Sequence, residues 1–158
     1  MSSGETWAAG TDTTNSSVTQ TLVERNLVTR PLPSVRFAAA SASVIEGAGK
    51  ATITVQLSAT SAQPVTMQYA TSNGTAVAPS DYAATSGTLM IDAGLTSKTF
   101  DITIVNDSID EADEALTITL SAPTNATLGT PASATLTIVD DDAASAPSWP
   151  IYLPLVRR

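Results

Sequence analysis

Apolar and polar residues alternate with a period of two in several short segments between residues 34 and 139. The clearest segment is 51–57, in which Ile53, Val55 and Leu57 are separated by polar side chains. This period directs every second side chain to one face of a β-strand, so each segment predicts a strand with one buried face. Seven strands are predicted in this way: 35–45, 51–57, 65–70, 88–91, 99–105, 116–120 and 134–139.

The predicted strands are separated by clusters of Gly, Pro, Asn and Asp, and no segment has the 3.6-residue period of a long helix. Short strands with regular turns are typical of a β-sandwich. The sequence therefore predicts an all-β fold, a seven-stranded antiparallel β-sandwich, over residues 34–142. The first strand has an Ala/Ser-rich middle, where we expect a kink.

The segments on either side of this domain have a different composition. Residues 1–33 are polar, rich in Ser and Thr, and end in a proline-containing stretch, so they are predicted to be a tail or linker. Residues 143–148 are predicted to be a spacer, and 149–158 are the most apolar stretch, too short to span a bilayer. The C-terminal tail could dock on its own domain, pair with a neighbouring subunit as an added strand, or serve as an export or anchoring tag. Both tails are candidates for self-association or for a protein partner, the C-terminal one through residues 148–158.

Composition excludes several classes of function. The chain has 7 basic and 15 acidic residues, a formal net charge of −8, so neither nucleic acid nor an anionic membrane is an expected partner. The absence of histidine and cysteine excludes Ser-His and Cys-His nucleophiles, disulfides and the usual zinc ligands. No stretch is long enough for a transmembrane helix, and the residues after Met1 lack the apolar core of a signal peptide.

Ten of the 15 acidic residues lie in four places, which follow predicted strands one, three, five and seven. Because successive antiparallel strands alternate in direction, these four places are expected at the same end of the sandwich. The turns at the opposite end contain a single carboxylate, Asp92. Two carboxylates about 4 Å apart repel by about 1 kcal/mol even in bulk water, so such a cluster needs bound cations. The ten residues are Glu46, Asp81, Asp107, Asp110, Glu111, Asp113, Glu114, Asp140, Asp141 and Asp142.

Carboxylates are hard oxygen ligands, and a cluster of them favours calcium. Ca²⁺ takes roughly six to eight oxygens in a flexible geometry, which several loops can supply together. Several carboxylates within reach of one another suggest more than one ion, with shared ligands. The spacing does not fit an EF-hand, which needs acidic residues at alternate positions of one loop. Two alternatives stay open, namely Mg²⁺, and acidic turns that are simply solvated, because Asp and Asn are common in turns.

The order of several short motifs resembles the Calx-beta domain, a module of sodium–calcium exchangers, an integrin β tail and bacterial surface proteins. The resemblance covers about residues 34–142. It implies an immunoglobulin-like sandwich of seven strands, with calcium ions at the loops of one end. The matching motifs are Val44-Ile45-Glu46-Gly47, Asn73-Gly74-Thr75, Asp81-Tyr82, Gly87-Thr88-Leu89, the segment from Asn106-Asp107 to Asp113-Glu114, and residues 134–142.

The resemblance implies a set of calcium ligands, and residue type suggests structural roles for two other positions. Asn106 stands where the family often has Asp, and an uncharged amide oxygen should weaken a calcium site. Gly74 is expected in a tight turn that uses a positive φ, and Tyr82 is expected to pack beside the loops. The implied calcium ligands are Glu46, Asp81, Asp107, Glu111, Glu114, Asp140, Asp141 and Asp142.

The leading hypothesis is a non-catalytic calcium-binding module that serves adhesion or spacing in a secreted or cell-surface protein. The alternative is a structural subunit of an extracellular filament, assembled by pairing of a tail with a sheet edge, with calcium binding weak or lost. An enzyme is disfavoured, because the acidic loops lack the aromatic platforms that sugars need for glycosidase chemistry by paired carboxylates.

Overall fold

A computed structural model of the protein describes residues 31–143. The predicted tails, 1–33 and 143–158, lie outside the described residues except for 31–33 and 143. Nine strands and one 3₁₀ turn, Glu46–Ala48, make up the described part. The strands are β1 (Ser34–Phe37), β2 (Ser41–Ile45), β3 (Lys50–Leu57), β4 (Val65–Asn73), β5 (Ser86–Ile91), β6 (Ser97–Thr103), β7 (Glu114–Thr124), β8 (Thr127–Leu128) and β9 (Ser133–Val139).

The strands form two sheets, which confirms the predicted sandwich. One sheet has the order β6-β3-β1-β8 and the other β2-β9-β7-β4-β5. The apolar residues that alternate along the sequence are buried between the two sheets, because the apolar side chains of each strand share one face. Val55 and Ile102 from the first sheet, and Ile118 and Leu136 from the second, are at most 1% exposed.

The predicted first strand is two strands that belong to different sheets. β1 pairs with β3, and after three alanines, residues 38–40, the chain crosses to the other sheet and continues as β2 beside β9. The kink was therefore predicted correctly, but the uniformly antiparallel arrangement was not. β2 runs parallel to β9, with Ile45 opposite Val139, because both strands run toward the same end of the sandwich. β1 and β8 are also parallel.

The end of the sandwich that carries Asp92 contains more strand than the sequence predicts. The predicted strands stop at residue 120 and resume at 134, whereas β7 continues to Thr124 and the short β8 pairs with β1. Ala122 and Asn125 adopt positive φ angles of 46° and 60°, which let the backbone reverse there. Hydrophobic periodicity cannot detect these exposed residues, because a two-residue strand has no period.

Gly74 is required by a steric contact and not by the positive φ that we predicted. The described glycines with positive φ are Gly49 and Gly94. A β-carbon at Gly74 would instead collide with the carbonyl oxygen of Ala115 at the start of β7. The same turn is tied to β7 by the Ala115 N–H, which donates to Thr75 Oγ1 at 2.7 Å. The close approach of two backbones, and not a turn conformation, therefore requires the glycine.

None of the helices in the described residues has the length and apolar character needed to cross a membrane.

Candidate metal centre at the acidic end

Four loops meet at one end of the sandwich, which we call the acidic end. They are the turn after β2, the connection from β4 to β5, the loop from β6 to β7, and the segment after β9. Backbone groups join them: the Val105 N–H donates to the Asp81 carbonyl oxygen at 3.0 Å, and the Gly47 N–H donates to Asp141 Oδ1 at 3.1 Å. The acidic end carries ten carboxylates: Glu46, Asp81, Asp107, Asp110, Glu111, Asp113, Glu114, Asp140, Asp141 and Asp142.

Glu46 lies deepest in the acidic end, with only 8% of its surface exposed. It starts the 3₁₀ turn, and Gly49 closes that turn by donating its N–H to the Glu46 carbonyl oxygen at 3.2 Å. The side-chain Oε1 accepts the Asp107 N–H at 2.8 Å. Since a buried carboxylate is unfavourable without partners, this bond fixes Glu46 and also ties the turn to the β6–β7 loop.

Gly47 leaves just enough space for two neighbouring oxygen atoms. A β-carbon at this position would lie 2.8 Å from Asp141 Oδ2 and 3.2 Å from Asn106 Oδ1. The first distance is shorter than a carbon–oxygen contact allows, so any other residue here would displace the Asp141 carboxylate. The glycine therefore lets the segment after β9 approach the turn after β2.

Asp81 is held by the loop that carries it. Its Oδ2 accepts the Val77 N–H at 2.6 Å, which closes a short turn. The next residue, Tyr82, is fully buried, and its hydroxyl donates to Asn73 Oδ1 at 2.7 Å. Tyr82 thus packs beside the loop, as expected, and anchors the backbone that positions Asp81.

Three carboxylates form a compact group at the acidic end. One oxygen atom from each of Glu46, Asp107 and Asp142 lies within 4.8 Å of the other two. Oxygens on opposite sides of a calcium ion are about 4.6–5.2 Å apart, twice the usual Ca–O distance, so the spacing suits one ion. Asp140 Oδ1 and Asp142 Oδ2 are buried and have no hydrogen-bond partner in the described structure. Such atoms are unfavourable unless a ligand satisfies them.

A second group lines a small cavity beside the first. The cavity has a volume of about 10 Å³, roughly what one water-sized species needs. Glu46 lines it as well, so the two groups share this residue. Its other carboxylates are Asp81, Glu111, Glu114 and Asp140.

Mutual repulsion and burial raise several pKa values at the acidic end. Burial raises the pKa of Glu114 to about 7, together with a hydrogen bond to Asp81 and the negative charges around it. Burial and the charge of Asp107 raise the pKa of Glu111. Burial and the charge of Asp140 raise the pKa of Asp142. All three shifts have the sign expected for anions crowded together without a cation.

Among residues 31–143 the ion pair is Lys50–Asp101, with Lys50 Nζ 2.8 Å from Asp101 Oδ2, and it involves none of the ten carboxylates. Asp101 lies on β6, where Thr52 Oγ1 also donates to it at 2.6 Å. The charge of the acidic end is therefore not neutralised by basic side chains of the described domain.

The structure brings all eight predicted ligands to the acidic end. Asp141 accepts the Gly47 N–H, and the other seven belong to one or both of the groups above. The sequence analysis placed Asp113 in the acidic cluster and Asn73 in a tight turn. It did not predict that Asp113 Oδ1 accepts the Asp140 N–H at 3.3 Å or that Asn73 Oδ1 accepts the Ala78 N–H at 3.1 Å. The first bond joins segments 27 residues apart and the second closes a local turn, and neither follows from the hydrophobic pattern.

Comparisons with known proteins show which family this chain is similar to. The family model of the Calx-beta domain matches residues 31–142. The chain is 32% identical over 137 residues to mouse (Mus musculus) sodium/calcium exchanger 1, covering 72% of this chain and 14% of that protein. It is 31% identical over 103 residues to the Drosophila melanogaster sodium/calcium exchanger Calx, covering 65% of this chain and 11% of that protein. The chain thus spans a small part of the length of these relatives.

Solved structures show the same fold. The apo-form Calx CBD1 domain superposes with a TM-score of 0.67 at 28% identity, covering 70% of this chain and 99% of that one. The calcium binding domain CBD12 of CALX1.1 also gives a TM-score of 0.67, at 29% identity, covering 70% of this chain and 47% of that one. Since the family model covers most of the chain, the chain belongs to the Calx-beta domain family.

Proposed function

We propose that this chain is a non-catalytic calcium-binding module and that the acidic end holds the ions. The observation that carries the proposal is the convergence of ten carboxylates from four loops, with no basic side chain of the described domain paired to them. The similarity to a structure described as a calcium binding domain supports the choice of ion.

The residues present fit calcium better than the other common metals. All the candidate ligands are hard oxygen donors, and calcium accepts many such ligands in an irregular arrangement, whereas Mg²⁺ prefers fewer protein ligands and retains its waters. The buried, unpartnered oxygens of Asp140 and Asp142 are what a cation site needs. Glu46, Asp107 and Asp142 would hold one ion, and Glu46 would be shared with a second. That second ion would be held by Asp81, Glu111, Glu114 and Asp140, with Asp141 supporting the site from beside Gly47.

Rigidification is the mechanism that this arrangement supports. The candidate ligands come from separate loops, so a bound cation links them and restricts their motion. Asp140, Asp141 and Asp142 directly follow β9, so the same cation would stiffen the point where the chain leaves the domain. This behaviour suits an adhesion or spacer module of a secreted or cell-surface protein. Asn106 in place of a carboxylate weakens the site, and extracellular modules work with calcium dissociation constants of about 10⁻⁴–10⁻³ M.

Thermal denaturation with added calcium tests the proposal. An ion that binds only the folded state stabilises it by about 2.7 kcal/mol at one hundred times its dissociation constant, so millimolar calcium should raise Tm and EDTA should reverse the rise. The double variant D107N/D142N should lose most of the effect. The matched control D92N changes a carboxylate at the other end and should keep it. A Tm that does not respond to calcium would contradict the proposal.

A further inference from the structure

β2 forms one of the two edges of the second sheet, and this edge is open. β2 pairs with β9 on one side and with no strand of the described structure on the other. Its sequence, Ser-Ala-Ser-Val-Ile, has none of the charged residues or prolines that usually prevent an edge strand from pairing. Four of its five residues are exposed, including Ile45 at 54%.

The direction of the free backbone groups follows from the ladder with β9. The Thr135 N–H donates to the Ala40 carbonyl oxygen at 3.0 Å. Every second residue from Ala40, namely Ala42 and Val44, therefore directs its backbone N–H and C=O groups toward β9. Successive residues of a strand direct their N–H and C=O groups to opposite sides. The backbone groups of Ser41, Ser43 and Ile45 therefore point to the open edge, which offers bonding sites to an added strand.

An apolar cleft lies where this edge begins. It has a volume of about 150 Å³ and opens between the two sheets at the point where the chain crosses from β1 to β2. Its walls are largely apolar, and small side chains at the crossing leave the space unfilled. The residues that define it include Phe37, Ala38, Ala42, Ile53, Ile118 and Ala134.

The C-terminal segment has the length and starting point needed to cover both features. β9 ends at Val139 opposite Ile45, so the chain leaves the domain beside the end of β2. Residues 143–148 are long enough to reverse direction, after which a strand would run antiparallel to β2. At about 3.3 Å per residue, the eight residues 149–156 exceed the five of β2 and extend beyond its start, to the cleft.

The residue pattern of this segment also suits an edge strand. The odd-numbered residues 149, 151, 153 and 155 are Trp, Ile, Leu and Leu. Both prolines are at even-numbered positions, 150 and 154. Proline lacks an N–H, so it is tolerated in an edge strand only where the N–H would point away from the sheet. In the register that directs the backbone groups of residues 149, 151, 153 and 155 toward β2, each of these residues has an N–H to donate. Their side chains also lie on one face of the strand, and that face is apolar.

We propose that residues 149–156 of this chain pair with the open edge of β2 as an antiparallel strand and place an apolar side chain, from Leu153 or Leu155, in the cleft. Attachment to the same domain raises the effective concentration of the segment to about the millimolar range, which favours this pairing over the same pairing with a second copy. The proposal is independent of calcium, because it uses backbone groups of β2 and the cleft, not the carboxylates of the acidic end.

Amide hydrogen exchange on the chain with and without residues 148–158 is the direct test. The amides of Ser41, Ser43 and Ile45 should exchange about tenfold or more faster after the deletion, because their partners are gone. The amides of Ala42 and Val44, which face β9, are internal controls and should stay protected. Unchanged exchange at Ser41, Ser43 and Ile45 would overturn the proposal, including the case in which another segment covers the edge.

A pair of proline variants tests the register itself. Ile151→Pro removes an N–H that faces β2 and should release the edge amides as the deletion does. Tyr152→Pro introduces the same residue at the neighbouring position, whose N–H points away, and should leave the amides protected. Equal effects of the two variants would contradict the pairing.

Light scattering at several concentrations tests whether the strand comes from the same chain. Protection of the edge amides that appears only with a dimer would assign the strand to a second copy and overturn the intramolecular proposal.

Discussion

At the scale of single residues, Glu114 is the group among residues 31–143 whose pKa the fold raises most. Its pKa is raised to about 7 by burial, by a hydrogen bond to Asp81 and by neighbouring negative charges. The folded state therefore binds this proton more tightly than the unfolded state does. For such a group, stability is fully present below the ordinary pKa and is lost as the pH rises through the raised value.

The pH dependence of the calcium-free protein follows from that sign. Its Tm should fall as the pH is raised from about 4.5 to about 7, the interval between the ordinary and the raised pKa of Glu114. Glu114→Gln should remove much of this slope, because the amide does not ionise, and saturating calcium should do the same by neutralising the carboxylates. Thermal denaturation at several pH values in EDTA checks this expectation. A Tm that rises over the interval would contradict it, and D92N serves as the control that keeps the slope.

Gly47 gives a second prediction at the residue scale. In Gly47→Ala the new methyl group would lie 2.8 Å from Asp141 Oδ2, so the carboxylate must move. Residues that orient metal ligands typically contribute about 10- to 100-fold to affinity, and we expect calcium binding to weaken by that order. Isothermal titration calorimetry measures the change. Ser108→Ala, an exposed change in the β6–β7 loop, is the control, and an unaltered affinity in Gly47→Ala would show that Asp141 has no part in the site.

At the scale of strands, β7 and β9 connect the core to the acidic end. Glu114 opens β7 and Asp140 follows β9, while Ile118 and Leu136 of the same strands are fully buried between the sheets. Their ladder, with Leu116 opposite Leu136, fixes how the two acidic segments face each other. The packing of the core therefore sets the geometry of the carboxylates.

Truncating a core side chain of β7 should therefore lower the free energy of unfolding strongly. Ile118→Ala removes a fully buried side chain, and such substitutions cost about 2–5 kcal/mol in the free energy of unfolding. Met90→Ala on β5 is the matched control, because Met90 is 48% exposed and surface changes usually stay within about 0.5 kcal/mol. Chemical denaturation measures both values. Similar losses in the two variants would contradict the assigned core.

At the scale of the whole molecule, the sequence predicted the layers and the sidedness of the acidic loops. Strands such as β3 and β7 could be predicted from the sequence, because their buried residues recur at every second position. The crossing from β1 to β2, the parallel pairing of β2 with β9 and the short β8 were not, because they depend on pairing between distant segments. The same reason applies within the site. Residue type identified Asp107 and Asp142 as candidate ligands, whereas their grouping with Glu46 required the folded chain.

A calcium titration followed by amide chemical shifts in the full chain tests the central claim most directly, because it reports both whether calcium binds and where. We predict shifts that saturate with millimolar calcium and are confined to the loops of the acidic end, from Glu46, Asp81 and Asp107 to Asp142, while the turn at Asp92 stays unchanged. Absence of any shift at millimolar calcium, or shifts spread equally over both ends of the sandwich, would contradict the account.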